Sequence, residues 1–270
     1  MSDVSVSAPR IIAIANQKGG VGKTTTAINL AASLAESGQR VLLIDIDPQG
    51  NASTGLGIEP GQRRHTTYDL MLGEAGLHDV VVETAFANIW LCPATTDLSS
   101  ADIDFGNNEK RSSLLRAALQ QPSARAFDYV LIDCPPSLSL LTVNAMIAAH
   151  SVLVPLQSEF FALEGLSQLL LTVQQVRKAN PDLRIEGVVL TMYDGRNNLS
   201  QQVEQDARDN LGPLVFETVV PRNVRLSEAP SYAMPVLAYD STSRGSQAYR
   251  ALAREILARH GAQQQLEGQV

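Results

Sequence analysis

A glycine-rich loop between a strand pattern and a helix pattern constrains the fold of this chain more than any other feature. The loop, Lys18-Gly-Gly-Val-Gly-Lys-Thr-Thr25, follows an apolar run at residues 11–15 and leads into a helical pattern at residues 24–37. Glycines allow backbone N–H groups to crowd around phosphate groups, and the N-terminus of a helix adds the positive end of its dipole. The order of strand, loop and helix therefore predicts a phosphate-binding loop.

Two side chains of this loop are predicted to act directly on a bound nucleotide. Lys23 is expected to reach the β- and γ-phosphates, and the hydroxyl of Thr24 is expected to hold Mg²⁺. The other lysine, Lys18, lies five residues before Lys23, and its position alone fits a solvated loop residue equally well. The predicted ATP-binding residues of the loop are Lys18, Gly19, Gly20, Val21, Gly22, Lys23, Thr24 and Thr25.

Carboxylates end two further strand patterns. Asp45 and Asp47 follow the second apolar run and are predicted to lie on one side of the strand, and Asp133 ends the run Tyr-Val-Leu-Ile at residues 129–132. Ligand sites in parallel sheets gather at the carboxyl ends of strands. Asp133 is therefore predicted to hold Mg²⁺ through a water, because Mg²⁺ gives up its waters reluctantly. Each pattern taken alone also fits a solvated loop carboxylate.

Short apolar runs alternate with helical patterns along the chain, which is typical of a doubly wound α/β domain with a mostly parallel sheet flanked by helices. A single domain is predicted at residues 10–261, between flexible tails at residues 1–9 and 262–270. Gly38 and Gly261 stand where helices commonly end. Strands are predicted at residues 11–15, 40–44, 89–92, 129–133, 151–156, 185–191 and 215–220, and helices at residues 24–37, 110–120, 138–149, 162–178, 199–211 and 246–259.

Composition excludes several classes of protein. The net charge of −7 over 270 residues argues against attraction of nucleic acid by the whole surface, so DNA binding would need a local basic patch. No apolar run approaches the roughly 20 residues of a membrane span, and the first residues lack the pattern of a signal peptide. Cys92, Cys134 and the scattered histidines have no metal-binding spacing. Two buried cysteines in a reduced cytoplasmic compartment are expected.

The loop resembles the deviant Walker A loop of the ParA/MinD class of P-loop ATPases, because Lys18 precedes Lys23 and Gln17 stands where an ordinary P-loop has its first glycine. Two later segments, Phe161-Ala-Leu-Glu-Gly-Leu-Ser-Gln168 and Val220-Pro-Arg-Asn-Val-Arg-Leu-Ser-Glu-Ala-Pro-Ser231, are similar to the Soj/ParA chromosome-partitioning ATPases. These segments distinguish that branch from MinD and from nitrogenase-type iron proteins. The resemblance covers nearly the whole chain and implies a P-loop NTPase fold.

The resemblance implies roles for particular residues. ATP and Mg²⁺ are the implied cofactors, and the implied catalytic residues are Lys18, Lys23 and Asp47. Lys18 would cross a dimer interface to the nucleotide of the other subunit, and Asp47 would position or activate the attacking water. Asp45 would lie nearer to Lys23 and Mg²⁺. The resemblance also places Pro221 and Arg222 at an adenine pocket, and assigns Arg196 and Arg225 to DNA binding.

The function that follows from the resemblance is ATP-dependent DNA partitioning of a chromosome or a plasmid. An ATP-dependent homodimer would bind double-stranded DNA non-specifically, and hydrolysis stimulated by a ParB-type centromere-binding protein would release it. Such a protein would be cytoplasmic and associated with the nucleoid. From the residues alone, Arg196 and Arg225 also fit ordinary surface arginines.

Three alternatives stay open. A MinD-like membrane-cycling ATPase would need a basic amphipathic helix near the C-terminus, and residues 258–270 offer few large apolar side chains for one. A carrier of a metal cluster would need clustered cysteines. A positioning ATPase for some other cargo has the same sequence pattern, because the partner protein sets the cargo.

Overall fold

A computed structural model describes residues 8–106, 108–159 and 162–267, except for the side chains of residues 162–164 and 263–267. Both predicted tails extend outside these ranges, at residues 1–7 and 268–270. The strands are β1 (Arg10–Ile14), β2 (Val41–Asp45), β3 (Val82–Glu83), β4 (Ile89–Cys92), β5 (Tyr129–Asp133), β6 (Ser151–Gln157) and β7 (Arg184–Thr191). The helices are α1 (Lys23–Glu36), α2 (Asn51–Gly55), α3 (Thr67–Leu72), α4 (Leu77–Val80), α5 (Ala101–Asp104), α6 (Leu114–Leu119), α7 (Leu140–Ala148), α8 (Ala162–Val176), α9 (Asn198–Leu211), α10 (Val224–Glu228), α11 (Val236–Tyr239) and α12 (Arg244–Glu267).

The strands form one sheet in the order β3-β4-β2-β5-β1-β6-β7. Every pairing is parallel except that of β3 with β4. In register, Asp133 of β5 lies opposite Ile14 of β1 and Asp45 of β2. The carboxyl ends of the central strands therefore meet at one edge of the sheet. The predicted doubly wound α/β fold is confirmed.

Helices cover both faces of the sheet, and alternate strand residues face the two layers. Ile12 and Ile14 of β1 lie in the apolar cluster formed with α1 and α12, whereas Ile11 and Ala13 lie in the cluster formed with α6 and α7. Strands buried on both faces need apolar residues at nearly every position. This requirement explains why the strands were visible in the sequence as continuous apolar runs.

Helix α1 directly follows the glycine-rich loop, and its ends are where glycines allow the backbone to turn. Gly22 is its N-cap residue with φ 87°. Gly38, predicted to end this helix, follows the C-cap Ser37 and also has φ 87°. A side chain is strained at such positive φ values, whereas glycine adopts them readily. The N-terminus of α1 is thereby fixed at the carboxyl end of β1.

The strand predicted at residues 215–220 is not formed. Phe216 N donates to Val188 O (2.9 Å) and Val220 N donates to Leu190 O (2.8 Å), so this segment touches β7 at both ends. Between them, the backbone N–H groups of residues 217 and 218 donate to the carboxylate of Glu255 in α12 (3.0 and 3.1 Å). These donors are therefore lost to the sheet, and the segment is an irregular connection along its edge.

Helix boundaries also differ from the predictions. Helix α12 continues through Gly261 to Glu267, so Gly261 does not end it, and residues 262–267 are helical. A glycine within a helix costs only about 1 kcal/mol relative to alanine, so a glycine alone does not end a helix. The helix predicted at residues 110–120 is confined to α6. No sequence pattern predicted β3 or the short helices α2, α3, α4, α5, α10 and α11.

Candidate nucleotide-binding site

The predicted phosphate-binding loop connects β1 to α1 at the carboxyl edge of the sheet. Gly20 and Gly22 have φ values of 75° and 87°, which residues with a side chain rarely adopt. The loop is held from behind, because the Thr191 hydroxyl at the end of β7 donates to Val21 O at 2.8 Å. Gly19 and Gly20 are exposed. The loop therefore presents its backbone to solvent at a helix N-terminus, where an anion is stabilised.

Lys23 is the first residue of α1, and its side chain is buried beneath the loop. Its Nζ donates to Lys18 O at 2.9 Å. Burial lowers the pKa of Lys23, and the nearby charges of Asp133 and Asp47 oppose that change. A partly desolvated ammonium gains from an added anion. Lys23 thus has the environment expected of a residue that binds phosphate.

Asp133 has the environment of a cation ligand. It is fully buried at the end of β5, and neither carboxylate oxygen makes a hydrogen bond with a described residue. Burial raises the pKa of Asp133 well above its ordinary value, and the charge of Asp45 adds to the effect, whereas the nearby Thr24 hydroxyl and the charge of Lys23 oppose it. A buried carboxylate without a partner is costly unless a cation neutralises it. Asp133 and Thr24 therefore fit an Mg²⁺ ion bound with a nucleotide.

Asp45 and Asp47 have different surroundings. Asp45 is fully buried and accepts hydrogen bonds from Ser53 N (2.9 Å), Ser53 Oγ (2.7 Å) and Asp47 N (3.1 Å). Burial raises the pKa of Asp45 to about 6 despite these bonds. Asp47 accepts from Gln49 N at 3.0 Å, and its charge acts on Lys23. Asp45 lies opposite Asp133 in the sheet register, whereas the charge of Asp47 acts on Lys23, and the roles of both carboxylates stay predictions.

Lys18 forms an ion pair with Glu159, which follows β6 at the same edge of the sheet. The Lys18 side chain is 40% exposed and its backbone N–H donates to Asn16 Oδ1 at 3.0 Å. Glu159 was not identified from the sequence, because it lies far from the loop along the chain. Within one subunit, Lys18 is therefore directed toward its own Glu159.

A cavity of about 590 Å³ opens beside the loop. Gly22 and Thr25 line one side of it, and Pro221, Arg222 and Val224 line another. This mixture of apolar and polar groups next to a phosphate-binding loop is suited to a nucleobase. Pro221 and Arg222 therefore line the same cavity as Gly22 of the loop, and their place at an adenine pocket stays a prediction.

The two arginines predicted to bind DNA are both paired with carboxylates. Arg196 is 91% exposed and pairs with Asp194 (3.0 Å). Arg225 pairs with Glu228 (2.8 Å) and Asp240 (3.2 Å). A surface pair of this kind contributes little and can exchange its partner for a phosphate. Their role in DNA binding stays a prediction.

Two further arginines share a groove with Arg196. The groove, of about 730 Å³, is lined by Arg196, Arg222 and Arg244 together with Tyr193 and Gln247. Arg222 and Arg244 form no ion pair with a described residue. Arg244 was not singled out from the sequence, since the groove combines three separated segments. Arg244 is the first residue of α12, and its place before a long helix pattern was the available signal.

Neither cysteine suggests a metal cluster. Cys92 and Cys134 are both free and buried, as predicted. Within the described ranges, no group of three or more His, Cys, Asp and Glu side chains is arranged to hold a metal ion. Across the same part of the chain, none of the helices combines the length and apolar character needed to cross a bilayer.

Parallel strands that bring a phosphate-binding loop and an unpaired buried carboxylate side by side define the site of a P-loop nucleotide-binding protein. Comparison with known proteins agrees with this class. A family model described as an AAA domain matches residues 9–185. The chromosome partitioning protein ParA of Caulobacter vibrioides is 58% identical over 258 residues, which cover 95% of this chain and 97% of that protein.

A second relative and a solved structure with a bound nucleotide analogue are also similar to this chain. The sporulation initiation inhibitor protein Soj of Bacillus subtilis is 51% identical, over 92% of this chain and 98% of its own length. The crystal structure of cobyrinic acid a,c-diamide synthase from Mycobacterium smegmatis, with a bound ATP analogue and magnesium, superposes with a TM-score of 0.82 at 38% identity, over 92% of this chain and 94% of that chain. The chain belongs to the ParA/Soj family of chromosome-partitioning ATPases, and its reaction is the hydrolysis of ATP.

Proposed function

We propose that this ATPase partitions DNA by binding it non-specifically in an ATP-dependent dimer and leaving it on hydrolysis. One observation carries the proposal. Pro221 and Arg222 line both the cavity beside the phosphate-binding loop and the groove that contains Arg196 and Arg244. A nucleotide that orders this segment would therefore also order a cationic groove. The relative named for chromosome partitioning is more similar to this chain than the diamide synthase, at 58% identity against 38%.

The proposed chemistry follows from the positions of the charged groups. Lys23 would hold the β- and γ-phosphates, and Thr24 and Asp133 would hold Mg²⁺, the latter through a water. When bound, Mg²⁺ would neutralise charge that develops on the phosphates. Asp47 would orient the attacking water, because it lies at the same edge of the sheet as Lys23 and is not committed to Ser53. Positioning and charge stabilisation would supply most of the rate enhancement.

The DNA contacts would come from a small set of arginines, because the chain as a whole is acidic. Arg196, Arg222 and Arg244 line the groove, and Arg225 would join them by exchanging Glu228 and Asp240 for phosphates. A dimer would double this set of charges. Contacts to phosphate position a protein on DNA without reading its sequence, so binding would be non-specific, and the protein would be found on the nucleoid in the cytoplasm.

Binding to random duplex DNA is expected to require ATP and to weaken steeply with salt, because each neutralised phosphate releases counterions. Replacement of Arg196, Arg225 or Arg244 by alanine should weaken binding to all sequences alike, and each replacement should lower the salt slope by about 1. Fluorescence anisotropy with ATP, ADP and no nucleotide, over a range of salt concentrations, measures both quantities.

Arg125→Ala is the matched control, since Arg125 is an exposed arginine in a different cavity, lined also by the start of β1. It should retain the DNA affinity and salt slope of the wild type. Arg222→Ala needs a parallel ATP titration because Arg222 also lines the candidate nucleobase cavity. Equal binding with and without nucleotide, or a salt slope that survives the groove replacements, would refute the proposed DNA site.

Lys18 is proposed to act on the nucleotide of the other subunit, which requires it to leave its own Glu159. Lys18→Ala is expected to keep measurable ATP binding and to lose ATP-dependent dimerisation, measured as the shift in size on a gel-filtration column. Glu159→Gln, which removes the competing charge, should dimerise at the same or a lower ATP concentration than the wild type. Normal dimerisation of Lys18→Ala would show that Lys18 has no role across the interface.

The partner and the cargo belong to the proposal as well. A ParB-type centromere-binding protein would stimulate hydrolysis and thereby release the dimer from DNA. Positioning of another cargo would use the same site with a different partner. A MinD-like membrane cycle would instead give ATP-dependent binding to anionic liposomes, which the same nucleotide series can measure in parallel with DNA.

A further inference from the structure

Arg63 lies outside the phosphate-binding loop, and its guanidinium donates hydrogen bonds to acceptors on three other residues. Its guanidinium is half-buried and donates to Ile58 O (3.0 and 2.8 Å), Ala94 O (2.8 Å) and the Thr54 hydroxyl (2.8 Å). Its Nη2 also lies 3.5 Å from Gly50 O. Arg63 thus bridges the segment that follows Asp47 to Ala94, the second residue after the carboxyl end of β4.

Gly50 leaves room for this arrangement. It has φ 62° and is the N-cap residue of α2. A Cβ atom at this position would lie 2.4 Å from Nη1 of Arg63 and 3.2 Å from Ala94 O. The positive φ therefore favours glycine here, and a side chain would also displace the guanidinium of Arg63 from its present position.

A second set of hydrogen bonds holds the same segment from the other side. Ser53 N and Oγ donate to Asp45 Oδ2, while Ser53 Oγ accepts from Ala94 N at 3.0 Å. Residues 50–54 are therefore tied to β2 through Asp45 and to the end of β4 through Ala94. Arg63 adds a hydrogen bond to Ala94 O, so the chain is held at Asp45 before Asp47 and at residues 50–54 after it. Asp47 lies between these two held points, two residues after the end of β2 and three before Gly50.

We propose that Arg63 is a positioning residue for ATP hydrolysis, which fixes the segment from Asp47 to Gly55 and so sets where the Asp47 carboxylate lies. This inference rests on the role proposed above for Asp47. The hydrogen bonds of Arg63 to described residues go to Gly50, Thr54, Ile58 and Ala94 and none goes to the phosphate-binding loop, so it would act through Asp47 rather than on the nucleotide. Displacement of a catalytic group by about 1 Å can lower a rate about a hundredfold.

Arginine is suited to this task in a way that lysine is not. The planar guanidinium donates in several fixed directions at once, to acceptors on three separate stretches of chain, whereas an ammonium on a flexible stem cannot reproduce that geometry. Asp45 and Glu59 are the carboxylates whose charges act on Arg63. Arg63→Lys is therefore expected to recover part of the function lost in Arg63→Ala.

The experiment measures single-turnover ATP hydrolysis and ATP affinity of Arg63→Ala, Arg63→Lys, Asp47→Ala and the double variant Asp47→Ala/Arg63→Ala. Arg63→Ala should bind ATP within about twofold of the wild type and hydrolyse it about 10–100-fold more slowly. Arg63→Lys should lie between the two. Hydrogen exchange of the amides at residues 48–57 should be faster in Arg63→Ala, which reports the loss of order independently of activity.

Arg64→Ala is the control for loss of one positive charge at the adjacent exposed position, and it should match the wild type in both rate and exchange. The double variant should hydrolyse no more slowly than Asp47→Ala, because two residues that act as a unit are not additive. Each variant is assayed well below its measured unfolding temperature, so that a loss of stability is not counted as a loss of rate.

The outcomes separate the two proposals. Wild-type hydrolysis by Asp47→Ala would refute the role of Asp47, and with it the inference about Arg63. A slow Asp47→Ala combined with a wild-type rate for Arg63→Ala would overturn the positioning role alone. So would an equal further loss of rate on adding Arg63→Ala to Asp47→Ala, because Arg63 would then act by another route.

Discussion

Lys23→Ala is expected to bind ATP at least about a hundredfold more weakly than the wild type. Lys23 is the buried cation beneath the loop, and hydrogen bonds to charged groups contribute about 1.5–3 kcal/mol each. About 2.8 kcal/mol corresponds to a hundredfold change in the dissociation constant. Removal of the ammonium also leaves Asp133 and Asp47 without the positive charge that acts on them. Titration of a fluorescent ATP analogue or isothermal calorimetry measures the effect.

Lys110→Ala is the control for this prediction, since Lys110 is exposed in the turn before α6. Its ATP affinity should equal that of the wild type. A circular dichroism spectrum and an unfolding temperature for each variant establish that the loop variant is folded. Unchanged ATP affinity in folded Lys23→Ala would refute the assignment of the phosphate-binding loop.

The centre of the fold and of the site could be predicted because local patterns determine them. The glycines of the loop encode backbone conformations that other residues rarely adopt, and Gly20 and Gly22 do have positive φ. The apolar runs encode strands buried on both faces. Once the strands are parallel and neighbouring, the carboxylates at their ends must meet. Asp133 beside β1 follows from this topology.

The irregular segments and the surface ion pairs could not be predicted, because contacts between residues far apart in the sequence determine them. Residues 215–220 have a strand-like composition, but two of their backbone donors bind Glu255 on a helix that follows later. The ion pair of Arg225 with Glu228 is visible in the spacing of a helix turn, whereas its pair with Asp240 is not. Arg63 has no local signal, because it binds Ala94 far along the chain, and the groove that contains Arg244 is formed only by the tertiary fold.

A buried polar network near the amino-terminal ends of β5, β6 and β7 could not be predicted from the sequence either. Glu186 of β7 lies 2.7 Å from His260 Nε2, and His260 Nδ1 lies 2.9 Å from the Tyr129 hydroxyl. Ser151 donates to the second oxygen of Glu186. Glu186, His260 and Ser151 are all buried. The network joins β5, β6 and β7 to α12.

Glu186 is the acceptor for two buried donors. They are the Ser151 hydroxyl and His260 Nε2–H, and the other ring nitrogen of His260 lies 2.9 Å from the Tyr129 hydroxyl. Burial acts to raise the pKa of Glu186, but the hydrogen bonds and charge of His260, the Ser151 hydroxyl and the charge of Arg184 outweigh it, so the pKa is lowered. The carboxylate is therefore ionised in the folded protein at neutral pH.

Glu186→Ala is expected to lower the free energy of unfolding at pH 7 by about 3–5 kcal/mol, because it leaves buried donors of His260 and Ser151 without an acceptor. A lowered pKa stabilises the fold above the unfolded value, which is about 4.5, and that part is lost as pH falls through the folded value. The difference between the variant and the wild type should therefore shrink below about pH 4.5. Urea unfolding at pH 7 and at acidic pH measures both effects.

Glu83→Ala in β3 is the matched control, because Glu83 is an exposed glutamate in a strand. Its effect should stay within about 0.5 kcal/mol at every pH, as for most surface substitutions. The cavity left by Glu186→Ala costs the same at all pH values, so the pH-dependent part of the difference reports the carboxylate itself. If Glu186→Ala unfolds at the same urea concentration as Glu83→Ala, or if its deficit does not shrink on acidification, the ionised carboxylate does not hold α12 to the sheet.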